Sequence, residues 1–188
     1  MEDLAVDLLR GVNLYLVGMM GAGKTTVGRI LARELKYRFF DTDDLIVRVA
    51  NQSIAEIFDR LGEEAFRELE TKVLGELAAY QNSVVATGGG IVGRSINWGY
   101  LHYGIVVWLD VPVEQLIQRL GSDTTRPLLR EGDVKSKLQS LLSERERFYT
   151  QADVRVSTRR GEQPEEVALR AIEEVRKVIK SQTRDDIN

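Results

Sequence analysis

The sequence predicts an α/β fold in which helices cover both faces of a five-stranded parallel sheet. Short apolar runs alternate along the chain with longer helical patterns, and this alternation is typical of a parallel sheet layered between helices. The runs are rich in β-branched or aromatic residues, and most close with Gly, Asp or Thr. Several are almost continuously apolar, as in strands that are covered on both faces. The predicted strands are 13–18, 37–43, 83–90, 104–111 and 153–158.

The segments between these runs carry helical patterns. The 25–35 stretch places four aliphatic side chains on one side of a helix. The 52–80 stretch is long enough for two helices, and Gly62 is the predicted break between them. Further helices are predicted at 113–120, at 134–149 and from Pro164 onward, and the polar tail 181–188 is expected to be frayed.

The composition restricts the classes of function. A length of 188 residues, with 43% hydrophobic and 29% charged, suits one globular domain spanning 1–188. No apolar run reaches the about 20 residues that cross a bilayer. The acidic amino end does not read as a signal peptide, so we expect a cytoplasmic protein, acting as a monomer. The net charge of −3 argues against duplex nucleic acid as a partner. There is no cysteine and only one histidine, His102, so thiol chemistry and a multi-histidine metal site are not expected.

The stretch GMMGAGKT lies between the first predicted strand and the first predicted helix. It matches the P-loop pattern through Gly18, Gly23, Lys24 and Thr25. Small residues let backbone N–H groups turn inward around phosphate oxygens, and the helix start adds its positive end. Lys24 is expected to reach the β- and γ-phosphates, and the Thr25 hydroxyl to bind Mg²⁺. The alternative is a glycine-rich turn without a ligand, but the complete pattern in its strand-to-helix context favours a nucleotide site.

Two carboxylates close the second predicted strand. Because side chains alternate along a strand, Asp41 and Asp43 are predicted to point the same way at the carboxyl edge of the sheet, where α/β folds bind ligands. Such a pair can divide its roles, with one carboxylate near Mg²⁺ and the other near an accepting hydroxyl. The alternative is an Asp-rich helix cap before DLIVRVA, and Asp44 is predicted to be such a cap.

Four further stretches are candidates for a functional role. Taken alone, Arg67 in EEAFRELE and Arg145 in SERERFY would be ordinary solvent-exposed arginines. The glycines 88–90 form either a plain flexible turn or a wall that a ligand approaches closely, with backbone N–H groups that bind oxygen. The polar loop 121–133 is predicted to fold over a bound nucleotide, with Arg126 reaching the transferring phosphoryl group.

The chain resembles shikimate kinases in the ordered set GMMGAGKT, DTD, FRELE, TGGG, RPLL and SERERFY. The resemblance extends from Asn13 to Ala168, with the motifs in the order and at the spacing of the family. Other small P-loop kinases lack the combination of DTD, FR and TGGG, and INWGYLHYGIVVWLDVP is most similar to cyanobacterial and plant members. The resemblance implies a P-loop NTPase fold of the nucleoside monophosphate kinase type, with a substrate-binding segment at 44–66 and a lid at 121–133.

The resemblance also implies a role for each matched position. Asp43 would hold the ring hydroxyls of shikimate and help activate the 3-hydroxyl, while Arg67 and Arg145 would clamp the carboxylate, a task that suits guanidinium. Asp41 would support Mg²⁺ beside Thr25. The implied catalytic residues are Lys24, Asp43 and Arg126, and the implied substrate contacts also include Gly88, Gly89 and Gly90. The implied nucleotide-binding residues are Gly18, Met19, Met20, Gly21, Ala22, Gly23, Lys24, Thr25, Thr26, Arg119, Arg126 and Arg160, of which Arg119 and Arg160 would flank adenine.

The activity that the resemblance implies is phosphorylation of the 3-hydroxyl of shikimate, with ATP and Mg²⁺, to give shikimate 3-phosphate and ADP. Two alternatives stay open at this point. One is a kinase for another small metabolite, such as gluconate. The other is a catalytically silent nucleotide-binding homologue, against which the intact motif residues argue.

Overall fold

The computed structural model describes residue 9, residues 11–120 and residues 133–185, with side chains described as far as residue 180. The predicted lid at 121–133, with Arg126, lies outside the described residues except for Asp133. Among the residues described, none of the helices combines the length and the apolar character needed to cross a lipid bilayer.

A five-stranded parallel sheet forms the centre of the protein, with the strand order β2-β3-β1-β4-β5. In the register of the sheet, Leu16 of the central strand lies beside Ala86 on one side and Val107 on the other. All five strands occur where the sequence predicts them. Their bounds are β1 (Asn13–Val17), β2 (Arg38–Asp41), β3 (Ser83–Ala86), β4 (Gly104–Asp110) and β5 (Val154–Ser157).

Helices connect the strands and cover the sheet. Every residue of β1 and of β3 is buried. Because successive side chains of a strand point to opposite faces, both faces of the sheet must be covered. The fold is therefore a three-layer α/β/α arrangement, as predicted. The helices are α1 (Lys24–Leu35), α2 (Thr42–Ala50), α3 (Ile54–Ala78), α4 (Ser95–Leu101), α5 (Val113–Leu120), α6 (Val134–Tyr149) and α7 (Pro164–Asp185), with a 3₁₀ turn at Ile91–Gly93.

The predicted break at Gly62 is confirmed. Gly62 has φ 82° and ψ 170° inside α3, a conformation that interrupts the helix and that favours glycine. The segment before the break starts with a capping box, in which Ser53 and Glu56 satisfy each other's backbone N–H groups. The break separates two pieces of α3 that carry different walls of the cavity described below.

The structure corrects the prediction for the end of β2. The strand ends at Asp41, so Asp43 lies in the first turn of α2 and not on the strand. The helix cap is Asp41, whose Oδ1 accepts a hydrogen bond from the backbone N of Asp43 at 3.0 Å, whereas Asp44, the predicted cap, is an exposed residue of the first turn. The strand-alternation argument was therefore wrong, although Asp41 and Asp43 do line the same cavity.

Two other helical segments differ from the sequence analysis. The short helix α4 was not predicted. Two buried hydrogen bonds hold its side chains to the preceding turn: Asn97 Nδ2 donates to the carbonyl of Ile91 at 2.8 Å, and Trp98 Nε1 donates to the carbonyl of Val92 at 2.9 Å. The last helix runs to Asp185, so residues 181–185 are helical where a frayed tail was expected.

Candidate active site

The carboxyl ends of three adjacent strands bring the predicted motifs together. In the sheet β3 lies between β2 and β1, so the glycines that follow β3 sit between the end of β2 and the loop that follows β1. A Cβ atom built on Gly89 would lie 3.3 Å from the backbone N of Met20, which shows how closely the glycine turn approaches the P-loop. The site thus occupies the edge of the sheet at which open α/β folds bind ligands.

The P-loop, residues 18–23, is a turn that requires glycine. Gly18, Gly21 and Gly23 have φ values of 142°, 76° and 91°, in the left-handed region that side chains disfavour. A Cβ atom on Gly18 would also lie 2.6 Å from the carbonyl oxygen of Leu109. The loop delivers the chain to the start of α1, where the unpaired backbone N–H groups and the helix dipole favour an anion.

Lys24 is held across this loop. Its side chain is buried, and Nζ donates hydrogen bonds to the carbonyl oxygens of Gly18 and Met19, each at 2.8 Å. The ammonium group therefore lies inside the curve of the P-loop, where it can approach the phosphates that the loop binds.

Thr25 and Asp41 supply adjacent oxygen atoms beside the loop. The Thr25 hydroxyl donates a hydrogen bond to Asp41 Oδ2 at 2.7 Å. Hydroxyl and carboxylate oxygens are the ligand type that Mg²⁺ prefers, usually together with water and the phosphates of a nucleotide. Within the described residues, no group of three or more His, Cys, Asp or Glu side chains could form an all-protein metal site. The pair therefore fits an Mg²⁺ ion that is shared with a nucleotide.

A cavity of about 500 Å³ opens over the P-loop and α1. Arg119, at the end of α5, lines it and donates from Nη1 to the carbonyl oxygens of Gly21 and Ala22 at 3.1 and 3.3 Å. Thr158, directly after β5, and Pro164 and Val167 of α7 also line it. This cavity, called the nucleotide cavity below, contains most of the residues for which the sequence predicts nucleotide contacts.

A second cavity, of about 400 Å³, lies on the other side of the glycine turn and is called the acceptor cavity below. The segment 44–66 supplies an apolar wall to it, while charged side chains come from α2, α3 and α6. This combination of apolar walls with a few convergent polar groups is typical of a site for a small polar molecule. Its lining residues are Met20, Asp43, Val47, Ser53, Ile54, Ala55, Phe58, Phe66, Arg67, Glu70, Gly88, Gly89, Gly90 and Arg145.

Four residues line both cavities: Met20, Asp43, Gly88 and Gly89. They form the boundary at which a group from one cavity can meet a group from the other. Asp43 is the only side chain among these four that can exchange a proton in the ordinary pH range. The boundary is therefore where group transfer between two bound molecules is geometrically feasible.

A buried ion pair stands in the wall of the acceptor cavity. Arg67 Nη1 donates to Glu70 Oε2 at 2.6 Å, and Glu70 is only 1% exposed. Burial raises the pKa of Glu70; Arg67 opposes this effect and Asp43 adds to it. Burial lowers the pKa of Arg67, but Glu70 and Glu63 outweigh burial and leave that pKa above its usual value. Arg67 is therefore a permanent cation that its neighbours hold in place.

The glycine turn has no room for side chains. A Cβ atom on Gly88 would collide with Glu70 Oε1 and approach Asp43 Oδ1 to 3.1 Å, and one on Gly90 would collide with the guanidinium of Arg67. The carbonyl oxygen of Gly89 accepts hydrogen bonds from Arg145 Nη1 at 3.0 Å. The absence of side chains thus lets four charged groups converge on the acceptor cavity.

Tyr149 also holds the glycine turn in place. Its side chain is completely buried, and its hydroxyl donates to the Gly89 carbonyl at 2.8 Å while the ring stacks on Trp108 with 5.6 Å between centroids. Burial raises the pKa of Tyr149 to about 12, and the Arg145 cation opposes that rise only in part. The hydroxyl therefore stays protonated as a donor.

We expect Gly88→Ala to lower the free energy of unfolding by about 1–3 kcal/mol, because the added methyl group must displace the buried Glu70 carboxylate. Gly93→Ala is the matched control, since a Cβ atom there would meet nothing within 4 Å. Urea unfolding of both variants would test this. Equal stability of the two variants would contradict the close packing at Gly88.

The structure brings most of the predicted site residues together. All the predicted acceptor-side residues line the acceptor cavity, and Lys24, Thr25 and Asp41 line the nucleotide cavity. Arg160 is exposed and is not among the residues that line the nucleotide cavity, and Arg126 lies outside the described residues.

Sequence reasoning assigned no role to Glu70 or Tyr149. The signals that could have found them are their positions, three residues after Arg67 and four residues after Arg145, which place them beside these arginines on their helices.

Comparisons with known proteins agree with this geometry. The family model for shikimate kinase matches residues 20–176. A shikimate kinase from the cyanobacterium Nostoc punctiforme is 53% identical over 176 residues, covering 94% of this chain and 97% of the relative. The solved structure of a shikimate kinase from Acinetobacter baumannii in complex with shikimate superimposes with a TM-score of 0.85 at 38% identity, covering 94% of this chain and 98% of that one.

A gluconokinase structure from Sinorhizobium meliloti is a more distant neighbour. Its TM-score is 0.64 at 18% identity, covering 93% of this chain and 97% of that one. At this identity the similarity shows a shared fold only.

Proposed function

This chain belongs to the shikimate kinase family, and we propose that it transfers the γ-phosphoryl group of ATP to the 3-hydroxyl of shikimate across the boundary between its two cavities. The products are shikimate 3-phosphate and ADP, and the reaction is a step in the biosynthesis of aromatic amino acids. The observation that carries the proposal is the boundary itself, since Met20, Asp43, Gly88 and Gly89 line both cavities.

On the donor side, the chain supplies positive charge and fixed orientation. The P-loop N–H groups and Lys24 hold the phosphates, and Lys24 is already directed inward by its bonds to two loop carbonyls. Thr25 and Asp41 are the residues that would hold Mg²⁺, which when bound neutralises charge on the β- and γ-phosphates. Phosphoryl transfer depends chiefly on such positioning and charge neutralisation.

On the acceptor side, Asp43 is proposed to bind the hydroxyl that attacks and to accept its proton. The helix start at Thr42 places this carboxylate at the cavity boundary, and the cap formed by Asp41 fixes the turn that carries it. One short segment thus supplies the Mg²⁺-side carboxylate and the acceptor-side carboxylate.

Arg67 and Arg145 are proposed to clamp the carboxylate of shikimate. Both line the acceptor cavity, and each is already oriented, Arg67 by Glu70 and Arg145 by the Gly89 carbonyl. A guanidinium group can bind a carboxylate through two parallel hydrogen bonds, so two oriented arginines favour an anionic acceptor. The segment 44–66 is proposed as the substrate-binding part because it contributes Val47, Ser53 to Ala55, Phe58 and Phe66 to the same cavity.

The role of Arg126 as a lid residue near the phosphates is proposed from the resemblance alone. Arg119 and Arg160 are likewise proposed as residues that flank adenine, with the lining of the nucleotide cavity supporting Arg119.

The direct test is ADP release with ATP and Mg²⁺ against a panel of hydroxy acids that includes shikimate and gluconate. Efficient turnover is expected with shikimate only. Turnover with gluconate but not shikimate would favour the other kinase class, and no turnover with any member of the panel would favour a silent nucleotide-binding homologue.

We expect Arg67→Lys to raise the KM for shikimate roughly 10- to 100-fold, because a lysine keeps the charge beside Glu70 but loses the paired hydrogen bonds to a carboxylate. The dissociation constant for ATP should be nearly unchanged, since Arg67 does not line the nucleotide cavity. Arg48→Lys, at an exposed position of α2, is the control. A loss of ATP affinity with no change in the KM for shikimate would contradict the role of Arg67 in the clamp.

We also propose that the protein acts as a monomer in the cytoplasm. Light scattering coupled to size-exclusion chromatography gives the mass in solution, and a mass near twice 21.2 kDa would contradict the monomer.

A further inference from the structure

Arg67 has two carboxylate partners on different sides of its guanidinium group. Its Nη1 donates to Glu70 Oε2 at 2.6 Å. Its Nε and Nη2 both donate to one oxygen, Glu63 Oε1, at 3.3 and 2.8 Å. The Nε–Nη2 edge can bind both oxygens of a carboxylate in parallel, so Glu63 holds this edge through a single oxygen in a weaker geometry.

The two partners differ greatly in their access to water. The side chain of Glu70 is 1% exposed, so it cannot leave Arg67 without leaving a buried charge unpaired. The side chain of Glu63 is 56% exposed, and its carboxylate can return to water at little cost. Only the Glu63 bond is therefore readily exchangeable.

Charge around the acceptor cavity makes such an exchange favourable. Asp43, Glu63 and Glu70 place three carboxylates near the two guanidinium groups of Arg67 and Arg145. An anionic substrate adds a fourth carboxylate to this group. Release of the Glu63 carboxylate into water as the substrate binds would restore the earlier number of carboxylates around the two guanidinium groups.

There is also space into which the Glu63 side chain can move. It lines a third cavity, of about 660 Å³, which adjoins the acceptor cavity at Arg67, Gly90 and Arg145. Glu63 is not among the residues that line the acceptor cavity itself. Its side chain can therefore move away from Arg67 without crossing the space that the substrate fills.

We propose that Glu63 occupies the Nε–Nη2 edge of Arg67 until substrate binds, and that the carboxylate of shikimate displaces it. The inference rests on the proposed role of Arg67 in the clamp. Glu63 is then an affinity-determining residue that weakens the binding of every carboxylate ligand by competing for the same guanidinium edge. An exposed ion pair of this kind changes an equilibrium about 1.4- to 5-fold, so the effect is modest and has a defined sign.

The experiment compares the dissociation constants of shikimate and of its neutral methyl ester by isothermal titration calorimetry. Glu63→Gln is expected to tighten the binding of shikimate about 1.4- to 5-fold and to leave the ester unchanged. Glu68→Gln, an exposed change of the same kind on the same helix, is expected to alter neither constant. Thermal melting curves followed by far-ultraviolet circular dichroism establish that each variant is folded.

A second background isolates the role of Arg67. Arg67→Met with Glu70→Gln removes the buried pair as a unit, so that no buried charge is left alone. In this background Glu63→Gln should have no effect on shikimate affinity. Equal tightening in this background, or tightening by Glu68→Gln, would show a general effect of charge and overturn the competition.

Weaker or unchanged shikimate binding by Glu63→Gln in the otherwise native chain would also overturn the proposal, since it would make Glu63 a support for Arg67 or irrelevant to binding. Failure of the clamp itself gives a different result. In that case the ratio of the dissociation constants of shikimate and the ester would be the same in the background with Arg67→Met and Glu70→Gln as in the native chain.

Discussion

We expect Lys24→Met to lower the turnover number by about 10²- to 10³-fold at saturating ATP and shikimate, the range typical for removal of one preorganised hydrogen-bond donor from an active site. The physical reason is the position of the ammonium group, which the carbonyls of Gly18 and Met19 hold inside the P-loop. Charge builds on the phosphoryl oxygens in the transition state, so the loss falls mainly on turnover. Methionine keeps the apolar stem, which preserves the packing of a side chain that is only 9% exposed.

The measurement is steady-state ADP release with both substrates varied. Lys72→Met, at an exposed position of α3, is the control for removing a lysine charge and should leave turnover near the native value. A turnover number for Lys24→Met within about threefold of the native value would exclude Lys24 from the transfer step.

We expect Asp43→Asn to lower the turnover number by about 10²- to 10⁴-fold, the usual contribution of a positioned acid–base group. Asparagine fills the same space at the boundary of the two cavities but cannot accept the proton of the attacking hydroxyl. The hydrogen bond from the backbone N of Asp43 to Asp41 does not involve the altered side chain, so the helix cap should survive.

Asp44→Asn is a closely matched control because it removes the same charge from the same helical turn, at an exposed position. It should retain nearly native turnover. If the two variants lost similar amounts of activity, the effect would come from the charge of the α2 start and not from a proton acceptor at the boundary.

The P-loop and the strands were predictable because their signals are local. A strand that is buried on both faces must be apolar at nearly every position, so β1 and β4 are recognisable from composition alone. The loop at 18–23 needs glycine at positions where φ is positive, and lysine and threonine must follow at a fixed distance. The same local reasoning located the break at Gly62.

The end of β2 shows where local reasoning failed. Both a strand that continued to Asp43 and a helix that began earlier fit the letters DTDD. The structure starts α2 at Thr42, whose hydroxyl accepts a hydrogen bond from the backbone N of Gly88 at 2.9 Å. That bond joins residues 46 positions apart, so a sequence pattern within one segment could not reveal it.

By itself, the sequence determined the order of strands and helices, the P-loop and the residue types of an anion-binding site, because these depend on spacing within short segments. The tertiary structure decided which arginines face the acceptor cavity. Arg67 and Arg145 look like surface residues in their own helices. They converge on one cavity because Gly88 to Gly90 lack side chains, and Glu70 and the Gly89 carbonyl orient them there. Glu70 orients Arg67 from the same helix, but the glycines that leave room for this pair, and the Gly89 carbonyl that orients Arg145, come from segments far away in the chain, so no local pattern reveals them.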